Sequence, residues 1–582
     1  MPKTAPSPCG LSPNTTISSL FIFGGTLLVM GDYTSYTDKT VKYDYVTYVN
    51  GQKQYVTSTY TYKVQQFSTT LKYYDLSQIA AAGSEPSELS LVRETTFNGT
   101  YQTARLVNGY FYVVISDRSS GETAYFDTQD KDKKVDFTEG EEGSGGDNRF
   151  GGYGMIAAKI EAENAFTAPY TTGRYLGDAY DVYCSYNALY IMSRGYANYN
   201  GGGRGYYGCA GQIKAGYAAS APGGYAMSIV RRISLETLQL ESVLADVEGN
   251  ILNRFALHDD GEHIFTVSRT NRGTFLNVYN AEFETLAVAG PYAPGENLYS
   301  VRYDEDADTG RKYCYFVTFQ QVDPLFKIDI TDPLKPELTG DLKIPGYSTY
   351  MQNFGNGVLL GVGFDVDTRW GAQPTGLKVS LFDVSGPYPE EVNSIIIQNG
   401  KSEATDNARA ILCEKGKNMF AFAAEGRRGG KPAQGAYIYG IGANGRLFER
   451  AFLTNLPDGY TAQNQNHARK TISRVVWIGD YLYTIADGVI SSYNLADFSY
   501  IDTYEVRIIN KNATVTFLTE KDGAVYGTAV AEYGELLVMP NAPVREGYIF
   551  DGWVKVSNGL AFNPASRVYE SFTVYAFWIA IK

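Results

Sequence analysis

The sequence predicts an all-β protein: a large domain of repeated four-stranded antiparallel sheets followed by a smaller β unit at the C-terminal end. Three observations carry this. Pairs of strands joined by short Gly-, Asn- or Asp-containing turns recur along the chain. The composition, with 49 Tyr, 61 Gly and 21 Pro, favours strands joined by many turns. A length of 582 residues exceeds one ordinary domain, so a long repeat array plus at least one further unit is expected.

The repeat opens with a hairpin, seen in "ARLVNGYFYVV" at 104–114, "FALHDDGEHIFTV" at 255–267, "FGNGVLLGVG" at 354–363 and "VVWIGDYLYTIA" at 475–486. A third strand then ends on a related tetrad: "YDLS" with Asp75, "IDIT" with Asp329, "FDVS" with Asp383 and "YNLA" with Asn494. An Asp or Asn there can accept a hydrogen bond from the backbone two residues on and close a turn. A variable fourth strand follows, as in "LTGDLKI" at 338–344. Four antiparallel strands at a period of about 45 to 50 residues are the pattern of β-propeller blades. Eight blades begin near Thr15, Tyr101, Ala179, Asn250, Asn297, Tyr347, Asn407 and Thr471, or seven if the first is incomplete. Residues 1–14 are then an N-terminal tail, 15–508 the propeller and 509–582 the second module. Ring closure, which removes exposed sheet edges, would set Thr15 to Met30 beside Thr471 to Val506.

Three insertions leave this frame. Residues 33–68 alternate Tyr, Thr and Val around Asn50-Gly51, predicting a long projecting hairpin with a type I′ turn. Residues 117–153 are acidic and Gly-rich and 194–224 are Gly- and Tyr-rich, so both are expected to be irregular loops. Tyr on such loops suits binding, although strand propensity and solubility explain it equally.

From Leu298 to Asp365 the chain reads "LYSVRYDEDADTGRKYCYFVTFQQVDPLFKIDITDPLKPELTGDLKIPGYSTYMQNFGNGVLLGVGFD", continued by "GLKVSLFDVS" and "ISRVVWIGDYLYTIADG". This closely resembles a bacterial and archaeal family of secreted β-propellers, over nearly all of residues 15–508. The resemblance implies the fold and export, and carries no reaction or catalytic residues. Members often hold another strand-rich unit upstream of the point where this chain starts. After Asn510, Tyr533-Gly534, Arg545-Glu546-Gly547-Tyr548, Phe550-Asp551-Gly552-Trp553 and Tyr575-Ala576 with Trp578 resemble the Listeria-Bacteroides repeat, a small β-grasp-like module of bacterial surface proteins. Trp553 and Trp578 are expected in its core, because so small a module needs large apolar side chains. Both resemblances imply a secreted or cell-surface location. The Pro- and Ser-rich start after Met1 is read as a native export signal replaced or omitted.

A formal net charge of -13 excludes broad binding to nucleic acid or anionic membrane, both of which rely on clustered Lys and Arg. The apolar run Ile17 to Met30 is broken by Gly24-Gly25 and lacks a basic flank, so it reads as two strands and not as a membrane helix. The five cysteines show no CxxC spacing, and only Cys184 with Cys209 are close enough in sequence to suggest a bridge.

Two constellations stand out. Arg105, Arg254, Arg302, Arg409 and Arg474 recur at a similar place on the first strand of their blades, which lines the channel of a propeller. They are candidate ligand-binding residues, forming a positive ring in an acidic protein. Pairing of each guanidinium with a carboxylate or carbonyl of a neighbouring blade is the competing explanation, and Arg302→Met would then cost on the order of 3 kcal/mol, because removing one partner strands the other. Asp304, Asp306 and Asp308, followed by Gly310, resemble a DxDxDG loop, which makes calcium the one candidate cation and otherwise no cofactor. The Gly falls one place late and no acid closes the loop, so a solvated acidic turn explains the same residues.

Catalytic signals are sparse. His258, His263 and His467 are the only histidines, none beside a recognisable triad or metal motif, and no GxxxxGK[ST], CxxCH or HExxH sequence occurs. The repeated Trp docking motif of eight-bladed quinoprotein dehydrogenases is missing. The reading is therefore an extracellular protein for binding or display, with a glycan or a protein as ligand. Its rivals are a carbohydrate-active enzyme using loop carboxylates such as Asp365 and Asp367, and a structural spacer.

Overall fold

A computed structural model describes residues 15–49, 52–77, 90–117, 123–127, 133–135, 154–176, 179–200, 203–208, 225–307, 309–319, 323–355, 357–367, 373–457, 469–505, 513–531, 535–556, 559, 561–564, 567–568 and 571–580. Contacts divide the chain into two compact units, Met1–Ala486 with Ser492–Ile501, and Asp487–Ser491 with Asp502–Lys582. No helix among the described residues is long and apolar enough to cross a membrane.

Eight four-stranded antiparallel units follow one another, the number favoured by the repeat. In chain order their first and last strands are Thr15–Phe23 and Ser90–Asn98; Thr100–Val107 and Thr171–Leu176; Asp181–Cys184 and Leu240–Glu248; Leu257–Asp259 and Thr285–Tyr292. The remaining four run from Asn297–Glu305 to Glu337–Ile344, Tyr347–Gly355 to Glu390–Lys401, Ile411–Glu414 to Leu447–Leu453, and Ile472–Ile478 to Tyr500–Glu505. We number them blades 1 to 8. Blades 6 and 7 merge into one eight-stranded sheet through the pairs Gln398↔Arg427 and Lys401↔Glu425.

Local chemistry sets the turns. Val107 faces Tyr110 across Asn108 and Gly109, both with positive φ (50° and 79°), the geometry that Asn-Gly favours. Each tetrad closes as the sequence predicts: the backbone N–H groups of Ser77, Thr331, Ser385 and Ala496 donate to Asp75, Asp329, Asp383 and Asn494 at 2.8, 2.9, 2.9 and 2.9 Å. The middle strands of a blade are buried on both faces, as along Tyr110–Asp117 and Gly154–Glu161, while outer strands such as Tyr500–Glu505 are largely exposed. Shared apolar clusters join blade 1 to 2, 2 to 3, 3 to 4 to 5, 5 to 6, 6 to 7 and 7 to 8.

The first insertion is a hairpin: Thr26–Val49 and Gln52–Asp75 pair without a break from Thr26↔Asp75 to Val49↔Gln52, and the turn residues 50–51 lie outside the described residues. The other two depart from the expected irregular loops. Thr123–Asp127 pairs with Ser90–Asn98, and Lys133–Val135 pairs in turn with Thr123–Asp127, so the two extend the sheet of blade 1. Ala188–Asn200 runs past the blade edge and pairs with Gly203–Gly208, from Gly195↔Gly208 to Asn200↔Gly203. The Tyr content read there as loop chemistry acts as strand propensity, and the turn residues 201–202 lie outside the described residues.

In the second unit the sheet order places Ala513–Leu518 between Val525–Ala531 and Phe572–Ala580, with Tyr548–Lys555 at the far edge. Ala513–Leu518 and Phe572–Ala580 run parallel, the central pairing expected of a β-grasp-like module. Trp553 is buried with Val515, Phe517 and Val574. Trp578 is only half-buried; its indole N–H donates to the Thr519 carbonyl at 2.8 Å, and Phe550 bridges the two tryptophans.

Candidate functional site

A cavity of about 200 Å³ is lined by Gln102 and Thr103 of blade 2, Tyr180 and Asp181 entering blade 3, Arg254 entering blade 4, and Asn407 and Arg409 entering blade 7. Blades 3 and 7 stand four blades apart in the chain, and first strands so far apart come together at one cavity on the axis of a propeller, so we call this cavity axial. A second cavity of about 320 Å³ shares Arg254 and includes Arg105, Cys184, Phe255, His258 and Arg302. Two of the arginines are placed by one device. Asn253 and Asn407 each cap a single 3₁₀ turn, accepting from the N–H groups of Phe255 and Arg409 at 3.0 Å, and the turns Arg254–Ala256 and Ala408–Ala410 lead into the first strands.

The five recurrent arginines divide. The Arg474 guanidinium makes a two-pronged pair with Glu403 at 2.7 and 2.8 Å, and this bond holds the Glu403 carboxyl below its usual range. Arg254 Nη1 lies 3.8 Å from Asp181 Oδ1, and the Arg254 backbone N–H donates to the other Asp181 oxygen at 2.8 Å. Arg302 meets a neutral group instead: it donates to Gln352 Oε1 at 3.2 Å and lies over the Phe255 ring, and its buried Nε has no hydrogen-bond partner. Arg105 donates to Thr103 Oγ1 and the Ala104 carbonyl, both at 2.7 Å. Burial and then the nearby Arg254 and Arg409 push its pKa down. Arg409 is exposed, and its side chain has no ion pair or hydrogen bond among the described residues. The structure thus gathers Arg105, Arg254, Arg302 and Arg409 at the axial cavities and sets Arg474 apart. For Arg302 the partner from the neighbouring blade is the amide carbonyl of Gln352 and not a carboxylate.

The acidic triplet is only partly described, because Asp308 lies outside the described residues. Asp306 closes its turn, accepting from the Thr309 N–H at 3.2 Å, while its carbonyl accepts from Gly310 at 2.7 Å. Asp304 stands on the first strand of blade 5, its carboxyl raised by burial against the opposing pull of Lys415 and Arg302. Among the described residues no three His, Cys, Asp or Glu side chains cluster as a metal site requires. Asp365 and Asp367 lie on the second strand of blade 6, where Asp365 accepts from the Thr375 hydroxyl, and neither lines the axial cavities.

Cys184 is a free thiol, and Cys209, the one partner its spacing suggested, lies outside the described residues. Burial pushes the Cys184 thiol up to about 11, which leaves little thiolate at neutral pH. Periodicity also missed a set of buried cations that lock blades together. Lys159 of blade 2 donates to the Leu235 and Glu236 carbonyls of blade 3, and Lys327 of blade 5 donates to Val384 and Gly386 of blade 6 at 2.6 and 2.8 Å. Arg93 of blade 1 bonds Ala165 and Ala168 of blade 2 at 3.0 and 2.6 Å. The signal was present, a lone cation inside an apolar strand run such as "MIAAKI" or "LFKIDI", but not the partner.

The model of the beta propeller domain family matches residues 10–498, most of the chain. The chain belongs to this family. Beyond the propeller, residues 514–577 match the Listeria-Bacteroides repeat domain. Together the two domains mark a surface or binding type of protein. The propeller is 28% identical over 261 residues to an uncharacterized protein of Archaeoglobus fulgidus, covering 44% of this chain and 36% of the relative. It is 25% identical over 291 residues to one of Methanocaldococcus jannaschii, covering 48% and 39%. The chain therefore spans well under half the length of these relatives. Among solved structures, a putative 6-phosphogluconolactonase of Bacteroides fragilis aligns at 12% identity and TM-score 0.32 (60% of this chain, 91% of that one). Chaetomium thermophilum Sqt1 aligns at 10% and 0.35 (70% and 86%).

Proposed function

We propose that this propeller is an extracellular or cell-surface binding and display protein, with the C-terminal repeat as spacer or attachment unit. It holds part of a glycan or protein ligand at the axial cavities. The observation that carries this reading is the convergence of polar side chains from blades 2, 3, 4 and 7 on one axial cavity, with blade 5 joining at the second. Each comes from or just before the first strand of a blade whose middle strands are packed on both faces, so the donors are held by a rigid scaffold before any ligand arrives. The pairing of a propeller with a surface-protein repeat supports an outside location.

The test is an array of glycans and extracellular proteins probed with the full chain, its hits repeated with Arg254→Met. The expected result is a defined ligand class whose retention falls in the variant. No retained ligand, hits indifferent to the variant, or release of new reducing ends from a bound glycan would overturn the reading.

A further inference from the structure

The axial cavities carry more positive charge than the protein around them answers. Arg105, Arg302 and Arg409 have no carboxylate at ion-pair distance among the described residues, and Asp181 meets Arg254 alone, at 3.8 Å. Arg194 adds a further cation beside them, its guanidinium 5.4 Å from the ring of Tyr180. Of the nearby acids, Glu403 is paired with Arg474, Asp406 accepts from the Thr405 hydroxyl, and Asp304, which feels Arg302 and Lys415, has its carboxyl raised by burial. This concentration of guanidinium groups sits in a chain of formal net charge -13.

Grouped guanidinium groups without counter-charge repel one another when the cavity is empty and become strong charge-assisted donors when an oxyanion enters. Burial is the larger cause of the lowered Arg105 pKa, and the nearby Arg254 and Arg409 add to it. Size narrows the ligand: cavities of about 200 and 320 Å³, both lined by Arg254, hold a small molecule or the end of a larger one, not the length of a chain. Resting on the binding reading above, we infer that the axial cavities form an oxyanion site. Arg254 and Arg409 at the first cavity, with Arg105, Arg254 and Arg302 at the second, hold a carboxylate, sulfate or phosphate group borne by a ligand of about monosaccharide size.

The experiment measures binding of citrate, glucuronate, inorganic sulfate and inorganic phosphate to the full chain by calorimetry and thermal shift, at constant ionic strength in chloride. At least one is expected to bind and raise Tm. Preference for citrate and glucuronate assigns a carboxylate source, and preference for sulfate or phosphate an ester source. R105M and R409M should each weaken binding by about tenfold or more. R474M, at the same repeat position but neutralised by Glu403, should not. R409M changes an exposed side chain, so it should fold and keep or raise the anion-free Tm, because one repelling charge is gone. The inference is overturned if none of the four anions binds, if R105M and R409M bind as wild type does, or if R409M lowers the anion-free Tm. Array ligands retained equally by R105M and R409M, with no anion bound, would sink the oxyanion site and leave the display reading standing. Anion binding lost in both variants, with an empty array, would do the reverse.

Discussion

Lys327 and Arg302 are both cations on blade strands, yet their environments give them different weight. Lys327 is 1% exposed, and its ammonium is shared between two carbonyls of the next blade and the face of Tyr313. Lys327→Met strands the Val384 and Gly386 carbonyls, and chemical denaturation should show a loss of about 2 to 3 kcal/mol. Arg302→Met removes one bond to an amide oxygen that also accepts from the Tyr350 hydroxyl, so the loss should be about 1 kcal/mol and not the larger figure a carboxylate partner would imply. His258 adds a pH dependence. Burial holds its imidazole below the ordinary range, and the ring stacks on Tyr303 at 5.0 Å. The folded protein therefore binds this proton at lower pH than the unfolded chain. The neutral ring's contribution is fully present above the unfolded histidine pKa and is lost as the pH falls through and below that value. Tm should drop between roughly pH 7 and 5, and drop less in His258→Phe, which keeps the stacking. Asp304, with its pKa raised, works in the opposite sense but within the lower carboxylate range.

At the scale of the element, the turn after each third strand was legible because its chemistry is local. Asp383 accepts from both the N–H and the hydroxyl of Ser385, at 2.9 and 2.6 Å. Asp383→Asn should be nearly neutral, as Asn494 already fills the same role in blade 8, whereas Asp383→Ala should cost about 1 kcal/mol in a melting or denaturant series. The Ala188–Asn200 and Gly203–Gly208 hairpin shows the opposite case. Its alternating Tyr and Gly suit a strand and a loop equally, and pairing across Asn200↔Gly203 decides. The C-terminal module has its own apolar cluster, with Trp553 at 4% exposure among Val515, Phe517 and Phe562. A fragment of residues 512–582 should give a folded spectrum with a cooperative melt, and Trp553→Ala should abolish it. A fragment without dispersed amide resonances would show that the module depends on the rest of the chain.

For the ring as a whole, each junction from blade 1 through blade 8 is filled by a shared apolar cluster, while Ile17, Leu20 and Ile22 of blade 1 and Ile478 and Tyr481 of blade 8 are exposed. Closing the eighth junction would cover them and remove the last sheet edges. We expect closure: spin labels on L20C and I478C should report a single narrow, short distance. A long or broad distribution would mean that the first and eighth blades stand apart.

The sequence by itself determined the class, the repeat of four-stranded units, the hairpin turns, the Asp and Asn tetrads and the separate C-terminal module. Each of these is written in residues near one another in the chain, where strand period and turn chemistry act. It also marked five arginines by position, since a repeating sheet puts equivalent residues at equivalent places. Only the tertiary structure decided what those arginines are. Arg474 and Arg302 meet Glu403 and Gln352, side chains 71 and 50 residues away that the fold brings to them, whereas Arg105 finds only local partners. The same holds for Lys327 and its carbonyl partners 57 and 59 residues on. Charge balance is a sum over neighbours in space, and the period of a strand carries no information about who those neighbours are.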